Sequence, residues 1–241
     1  KIELMNDIIS TFSKGDINTA RNLEARLDMI NPKKKEYREL MLNFSRVVSA
    51  SGILGENTIE LIARCGREMA DGLSNPQIQK IITLDDHHRY CHYAAAVVGY
   101  FLTKDLFMKG YLSKERLEKL MPFTEDNNPK AGINPAHDLA LALQLTNNLK
   151  DLHEDFENGI FRWPFALLNK HGLTYEDIVN PQISGEKLDR AFVVLKEQID
   201  DAKGYFPSGA LWVDEISYET DINEKYSIDG IKHSWADALA F

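Results

Sequence analysis

Four side chains that carry oxygen atoms recur at helical spacing within residues 139–159, LALALQLTNNLKDLHEDFENG. They are Gln144, Asn147, Asp151 and Asp155, and at about 100° per residue they fall within roughly an 80° arc of one helix. Carboxylate and amide oxygens suit a hard cation such as Mg²⁺, whose coordination shell is usually completed by water and substrate phosphates. This helical face therefore favours a Mg²⁺ site.

The same pattern also occurs on ordinary amphipathic helices, whose polar face is simply exposed to water. Two features favour the metal instead. Gln144 and Asn147 interrupt a very apolar run of residues. Asp151 and Asp155 form a like-charged pair at i,i+4, which slightly destabilises a helix unless a cation lies between them.

A second informative segment covers residues 84–102, LDDHHRYCHYAAAVVGYFL. On a helix, Tyr90, Ala94, Val97 and Phe101 share one face. Small residues beside a tyrosine leave room for a long apolar ligand. Close packing between two helices through the same small residues is an alternative that the segment alone leaves open.

Three histidines in this segment could suggest a metal site. They are His87, His88 and His92, and no cysteine or glutamate accompanies them at the spacing of a zinc site. We therefore interpret them as surface or helix-capping residues.

The elements that must position these residues are all helices. No strand pattern competes with them, and Thr83 and Thr174 each precede an acidic first turn, as N-caps do. We expect an all-α protein with one domain over residues 1–241 and an irregular acidic tail at 210–241. Apolar residues at helical spacing predict helices near 2–13, 16–29, 34–50, 57–74, 84–109, 113–121, 135–157, 162–171, 174–179 and 185–205.

Composition restricts the partners and the location. The net charge of −9 argues against nucleic acid, and it means that an anionic substrate would need a metal to offset the repulsion. The apolar stretches are far shorter than the roughly 20 residues of a membrane span, and residues 1–13 do not read as a signal peptide. Cys65 and Cys91 both lie in helical patterns, which favours reduced thiols and a cytoplasmic location.

These segments resemble a known family. The pattern Gln144-x-x-Asn147-x-x-x-Asp151-x-x-x-Asp155 resembles the second aspartate-rich motif of squalene and phytoene synthases. Residues 90–99, YCHYAAAVVG, resemble the tyrosine helix of the same family. The flanking segments MADGL at 69–73 and FRWP at 161–164 extend the likeness from about residue 62 to 164, and details of the tyrosine helix and of the Trp-Pro pair are closer to squalene synthases.

The resemblance implies an all-helical bundle of the isoprenoid synthase type with a central apolar channel. It implies condensation of two prenyl diphosphates, expected to be farnesyl diphosphate, head-to-head through a cyclopropyl intermediate. Mg²⁺ held by Asn147, Asp151 and Asp155 would activate the diphosphate leaving group. Tyr90 would face the resulting carbocation, so the implied catalytic residues are Tyr90, Asp151 and Asp155.

The resemblance also implies a substrate site, and its cofactor and location follow from the product. A squalene synthase would use NADPH in a final reduction, although the chain has no Gly-rich dinucleotide fingerprint. An apolar product would favour peripheral association with a membrane. The residues implied to contact substrate are Ala94, Val97, Gln144, Asn147, Lys150 and Tyr205.

Two departures from the family pattern keep alternatives open. Ala96 stands where the family usually has glycine, which would narrow the channel by one methyl group. Residues 1–70 contain no counterpart of the family's first aspartate-rich motif, so an upstream segment or a partner chain would have to supply it. The alternatives are a phytoene or dehydrosqualene synthase, a non-catalytic family member that acts as an assembly or scaffold protein, and an unrelated helical interaction module.

Overall fold

The computed structural model describes residues 2–30, 35–122 and 134–219. Helices make up the regular structure throughout these ranges, which confirms the predicted all-α class. The chain divides into two compact units, Lys1–Gln79 and Lys80–Phe241. The expectation of a single domain stays a prediction.

In the first unit, α1 packs against α5 around Ile9, Ala63 and Ala70. Asp16 caps α2, because its carboxylate accepts hydrogen bonds from the backbone N–H groups of residues 18 and 19. The helix expected at 34–50 is divided at Asn43, whose backbone is not helical. The helices of this unit are α1 (Ile2–Lys14), α2 (Ile17–Asp28), α3 (Lys35–Leu42), α4 (Phe44–Ser51), α5 (Glu56–Ser74) and α6 (Pro76–Gln79).

The second unit contains every residue proposed above for chemistry. Its first helix begins with a capping box, in which Thr83 and Asp86 exchange backbone and side-chain hydrogen bonds. The helices are α7 (Leu84–Cys91), α8 (Val97–Met108), α9 (Lys114–Leu120), α10 (Pro135–Lys150), α11 (Leu152–Glu157), α12 (Phe165–Lys170), α13 (Tyr175–Val179) and α14 (Gly185–Glu219).

The helix α10 lies at the centre of this unit and packs against α7, α8 and α14. Two glycines allow the backbones to approach closely. A Cβ atom at Gly99 of α8 would lie 2.1 Å from the carbonyl oxygen of Ala136, and one at Gly209 of α14 would lie 2.7 Å from the Cα atom of Leu139. These contacts place α8 and α14 directly against the first turns of α10.

Two predicted helices have different bounds in the structure. The helix expected over 135–157 is interrupted at Asp151, where the backbone has φ −86° and ψ 7°. The last helix runs to Glu219 and includes Pro207, so the prediction of an irregular tail from residue 210 is wrong for 210–219. Pro207 and Gly209 read as a helix end in sequence, yet the helix continues because Ile216 is buried against Leu112 and Leu120. Residues 220–241 lie outside the described residues.

No helix within the described ranges is long and apolar enough to cross a membrane.

Candidate active site

Tyr90 and Asp155 meet at one guanidinium group. Arg162 lies in the connection between α11 and α12, and its Nε atom is 3.5 Å from Oδ2 of Asp155. The guanidinium carbon of Arg162 lies 4.1 Å from the centre of the Tyr90 ring. The structure therefore joins two of the predicted catalytic residues through a third residue that the sequence reasoning did not single out.

A turn after α11 reverses the direction of the backbone and explains how Arg162 reaches both Tyr90 and Asp155. The helix α11 ends at Glu157, and Gly159 follows it with a φ of 72°, the left-handed conformation typical of the residue after a helix C-terminus. The backbone N–H of Ile160 then donates to the carbonyl oxygen of Asp155 at 2.8 Å, which closes the turn. Trp163, the next residue, is buried in the core. The backbone at Arg162 is therefore held on both sides, by the turn before it and by the buried tryptophan after it.

Electrostatics keep the phenol of Tyr90 protonated. Burial raises its pKa above the ordinary value, and the Arg162 cation opposes this shift only in part. The side chain is 7% exposed. Tyr90 therefore offers a neutral O–H group together with a ring face that already holds a cation.

The acidic face of α10 and α11 provides oxygen atoms for a metal but not a closed cage. Asp151 is partly buried, and its carboxylate has no partner within the described part of the chain. Asn147 lies one turn before it and is exposed. No group of three or more His, Cys, Asp or Glu residues in the described ranges could enclose a metal ion. The donor set fits Mg²⁺ that takes most of its ligands from water or a diphosphate, because two carboxylates and an amide leave the ion open.

A large apolar cavity of about 1010 Å³ adjoins this face. Its walls are small and aliphatic side chains from the tyrosine helix and α10, and its polar members cluster toward the C-terminal end of α10. Ala94, Gln144, Asn147 and Lys150, four of the residues expected to contact substrate, line this cavity. Their contact with substrate stays a prediction. The residues that line it are Ala94, Ala95, Val98, Gly99, Leu102, Ala136, Leu139, Ala140, Leu143, Gln144, Thr146, Asn147, Lys150 and Trp212.

The tyrosine helix presents a different face from the one predicted. A π-helical turn at His92–Ala96 joins α7 to α8. A π turn adds one residue to a helical turn and shifts the register of everything that follows. Val98 consequently lines the cavity, whereas Val97 is buried away from it. The role of Val97 in substrate binding stays a prediction without support from this cavity.

Comparison with known proteins identifies the family of this chain. Residues 11–221 match the family described as squalene/phytoene synthase. The chain belongs to the squalene/phytoene synthase family. This is a family of prenyltransferase-type enzymes.

Individual relatives in the squalene/phytoene synthase family are distant. The chain is 27% identical over 214 residues to a 15-cis-phytoene synthase of Enterobacter agglomerans, covering 86% of this chain and 62% of that protein. It is 31% identical over 172 residues to an inactive squalene synthase 2 of Arabidopsis thaliana, covering 70% of this chain and 37% of that protein. A solved complex of TcSQS with a ligand has a TM-score of 0.62 at 22% identity, covering 88% of this chain and 61% of that one, which establishes a shared fold. The chain spans about 30% to 62% of the length of the curated relatives that it matches.

Tyr205, a residue that the family resemblance implied at the diphosphate, lies elsewhere. Its hydroxyl is 3.3 Å from Nδ1 of His88, whose Nε2 is 2.7 Å from Oδ2 of Asp201. Burial raises the pKa of Tyr205 to about 12. These contacts tie α14 to α7, and Tyr205 does not line the cavity. Its contact with diphosphate stays a prediction.

The interpretation of the three histidines as surface residues is wrong for His87. It is 2% exposed, and its Nε2 is 2.9 Å from the side-chain nitrogen of Asn148. His88 and His92 are partly buried, and the His92 ring lies against those of Tyr93 and His137. The sequence reasoning missed Asn148, although a second amide directly after Asn147 in an apolar run was a usable signal.

Proposed function

We propose that this chain supplies the tyrosine helix and a metal-binding helix of a Mg²⁺-dependent prenyltransferase that condenses two prenyl diphosphates head-to-head, as squalene synthases do. The observation that carries the proposal is the cluster of Tyr90, Arg162 and Asp155. The same compact unit holds a large apolar cavity, whose polar end is lined by Gln144, Asn147 and Lys150 of α10. A cavity of this kind suits the prenyl chain, and the polar end suits the diphosphate.

Asn147, Asp151 and Asp155 would hold the metal in this proposal. Bound Mg²⁺ would supply charge neutralisation to the diphosphate and so make it a better leaving group. Lys150 lines the cavity near these residues and offers a cation to the same anion. Arg162 offers a second cation, because a guanidinium group can form bidentate hydrogen bonds with phosphate oxygens.

Tyr90 acts at the cationic stage. Its ring already lies against the delocalised charge of Arg162, which is the interaction that an allylic carbocation would make with an aromatic face. Its protonated hydroxyl can relay a proton toward the departing diphosphate. The apolar lining of the cavity excludes water, which would otherwise capture the carbocation.

The identity of the product and the use of a final reduction step are also part of the proposal. A squalene product would require hydride from NADPH, whereas a phytoene-type or dehydrosqualene product would not. The family's first aspartate-rich motif would come from an upstream segment or a partner chain. A non-catalytic role is the second candidate, and the likeness to a relative named as inactive favours it.

Binding of Mg²⁺ with a diphosphate tests the proposal. Farnesyl thiodiphosphate with Mg²⁺ should raise the melting temperature of the chain, since a ligand at 100 times its Kd stabilises by about 2.7 kcal/mol. The double variant Asp151→Asn, Asp155→Asn should lose this stabilisation. Glu157→Gln with Asp189→Asn makes the same change in net charge at exposed positions and should keep it. Equal stabilisation of the parent and the Asp151/Asp155 variant would refute the metal assignment.

A further inference from the structure

A buried hydrogen-bond chain connects α7 to the cavity wall. Asn148 on α10 is 4% exposed, and its Nδ2 lies 2.9 Å from Nε2 of His87. The other end of the same amide, Oδ1, accepts a hydrogen bond from Nε2 of Gln144 at 2.9 Å. Gln144 lines the apolar cavity. These hydrogen bonds therefore run from a buried histidine, through a buried asparagine, to a glutamine at the cavity.

The orientation of the Asn148 amide sets the direction of these hydrogen bonds. Its Nδ2 group can only donate, so Nε2 of His87 accepts, and the neutral ring carries its proton on Nδ1, which has no hydrogen-bond partner among the described residues. The Nδ2 group of Asn148 also donates to Sγ of Cys91 at 3.3 Å. Two acceptors on α7 thus hold the NH₂ end of Asn148 toward α7 and its carbonyl end toward Gln144.

The orientation of Asn148 also sets the orientation of the Gln144 side-chain amide. Its NH₂ group is engaged by Asn148, whereas its Oε1 atom accepts no hydrogen bond from the described residues. Gln144 is half-buried, and Oε1 is not one of the buried polar atoms that lack a partner, so this oxygen is accessible to a ligand that donates a hydrogen bond. The free polar atom of Gln144 is therefore a hydrogen-bond acceptor.

We propose that His87 and Asn148 are positioning residues that hold Gln144 with its carbonyl oxygen free at the cavity, so that the cavity prefers an apolar ligand bearing a cationic or donor group at this point. Neither residue contacts the ligand in this arrangement. The inference does not rest on the proposed metal chemistry, because it concerns the polarity of the cavity wall in the absence of Mg²⁺.

Neighbouring charges act on the same ligand and must be held constant. Lys150 also lines the cavity and disfavours a cation, whereas the carboxylates of Asp151 and Asp155 favour one. Both influences are unchanged when His87 or Asn148 is replaced, so a ratio of two affinities isolates the contribution of Gln144.

The test compares two probes of equal chain length without Mg²⁺: protonated farnesylamine, which donates, and farnesyl methyl ether, which only accepts. The preference for the amine should fall about tenfold in His87→Leu and in Asn148→Leu, since a charged hydrogen bond contributes more than 1 kcal/mol. Gln144→Leu should give the same loss, which identifies the oxygen atom. His87→Gln, which restores an acceptor toward Asn148, should recover most of the preference.

A purely structural role would lower both affinities together and leave their ratio unchanged. That result in His87→Leu and Asn148→Leu would overturn the proposal. If Asn148→Leu fails to fold, the comparison of His87→Leu with His87→Gln decides the question by itself. An unchanged ratio in that pair would equally refute it.

Discussion

At the scale of single residues, Arg162 contacts both the acid and the aromatic group of the site. Its guanidinium lies beside Asp155 and over Tyr90, and its side chain is only 17% exposed. A cation held in this way reduces the local excess of negative charge in a protein of net charge −9. We infer that Arg162 prepares this corner of the site for an anion.

Replacement of this arginine tests that inference. Arg162→Gln should weaken Mg²⁺-dependent binding of farnesyl thiodiphosphate about tenfold, because one charge-assisted contact is lost. Arg162→Lys should retain part of the affinity, since it keeps the charge but not the planar stacking. Isothermal titration measures both values, and Arg190→Gln on α14 is the control. Unchanged affinity in Arg162→Gln would assign the residue to folding alone.

The burial of His87 makes stability depend on pH. Burial, and then the nearby charge of His88, lower the pKa of His87 to about 4. The unfolded chain binds a proton near pH 6.5, so the unfolded state gains protons first as the pH falls. The stabilising contribution is therefore complete above pH 6.5 and is lost as the pH falls from 6.5 to 4. Its size is about 3 kcal/mol, since each pKa unit corresponds to about 1.4 kcal/mol.

A variant isolates this contribution. His87→Gln keeps an acceptor for Asn148 but cannot be protonated, so its free energy of unfolding should fall less between pH 6.5 and 4. Part of the decline should persist, because burial also lowers the pKa of His92 to about 4. Urea unfolding at several pH values measures the difference. Parallel curves for parent and variant would contradict the assignment.

At the scale of elements, the contact between α8 and α10 requires glycine. A Cβ atom at Gly99 would meet a backbone oxygen at 2.1 Å, which no side-chain movement can relieve. Gly99→Ala should therefore cost about 3 kcal/mol, at the upper end for overpacking. Gly204→Ala is the matched control, since nothing lies within 4 Å of that position and alanine favours a helix by about 1 kcal/mol. Chemical denaturation compares them, and equal stability of both variants would contradict the close approach.

At the scale of the whole molecule, the site and its hydrophobic cores belong to one compact unit. The clusters around Trp163 and Leu120 both lie within Lys80–Phe241. We expect this fragment, expressed without residues 1–79, to keep its helical content and to unfold cooperatively, because its core contacts are internal. Circular dichroism during thermal unfolding measures this. A fragment without a cooperative transition would instead support the single-domain prediction.

Local sequence determined the helical class and the polar face of α10. Helical periodicity and N-caps act over a few residues, so they can be recognised without knowledge of the fold. The predicted N-cap at Thr83 is present in the structure. The same holds for Gln144 and Asn147, which lie at the cavity on the face that their spacing defined. The ends of the helices were less predictable, because the interruption at Asp151 and the extension beyond Pro207 depend on packing.

Tertiary structure alone decided which distant residues meet. Arg162 contacts Tyr90 across 72 positions of sequence, and Asn148 contacts His87 across 61. No periodicity spans such separations, because it reports only which residues share a face of one helix. The π turn at His92–Ala96 likewise shifted the cavity-lining residue from Val97 to Val98, since one added residue rotates the whole face that follows.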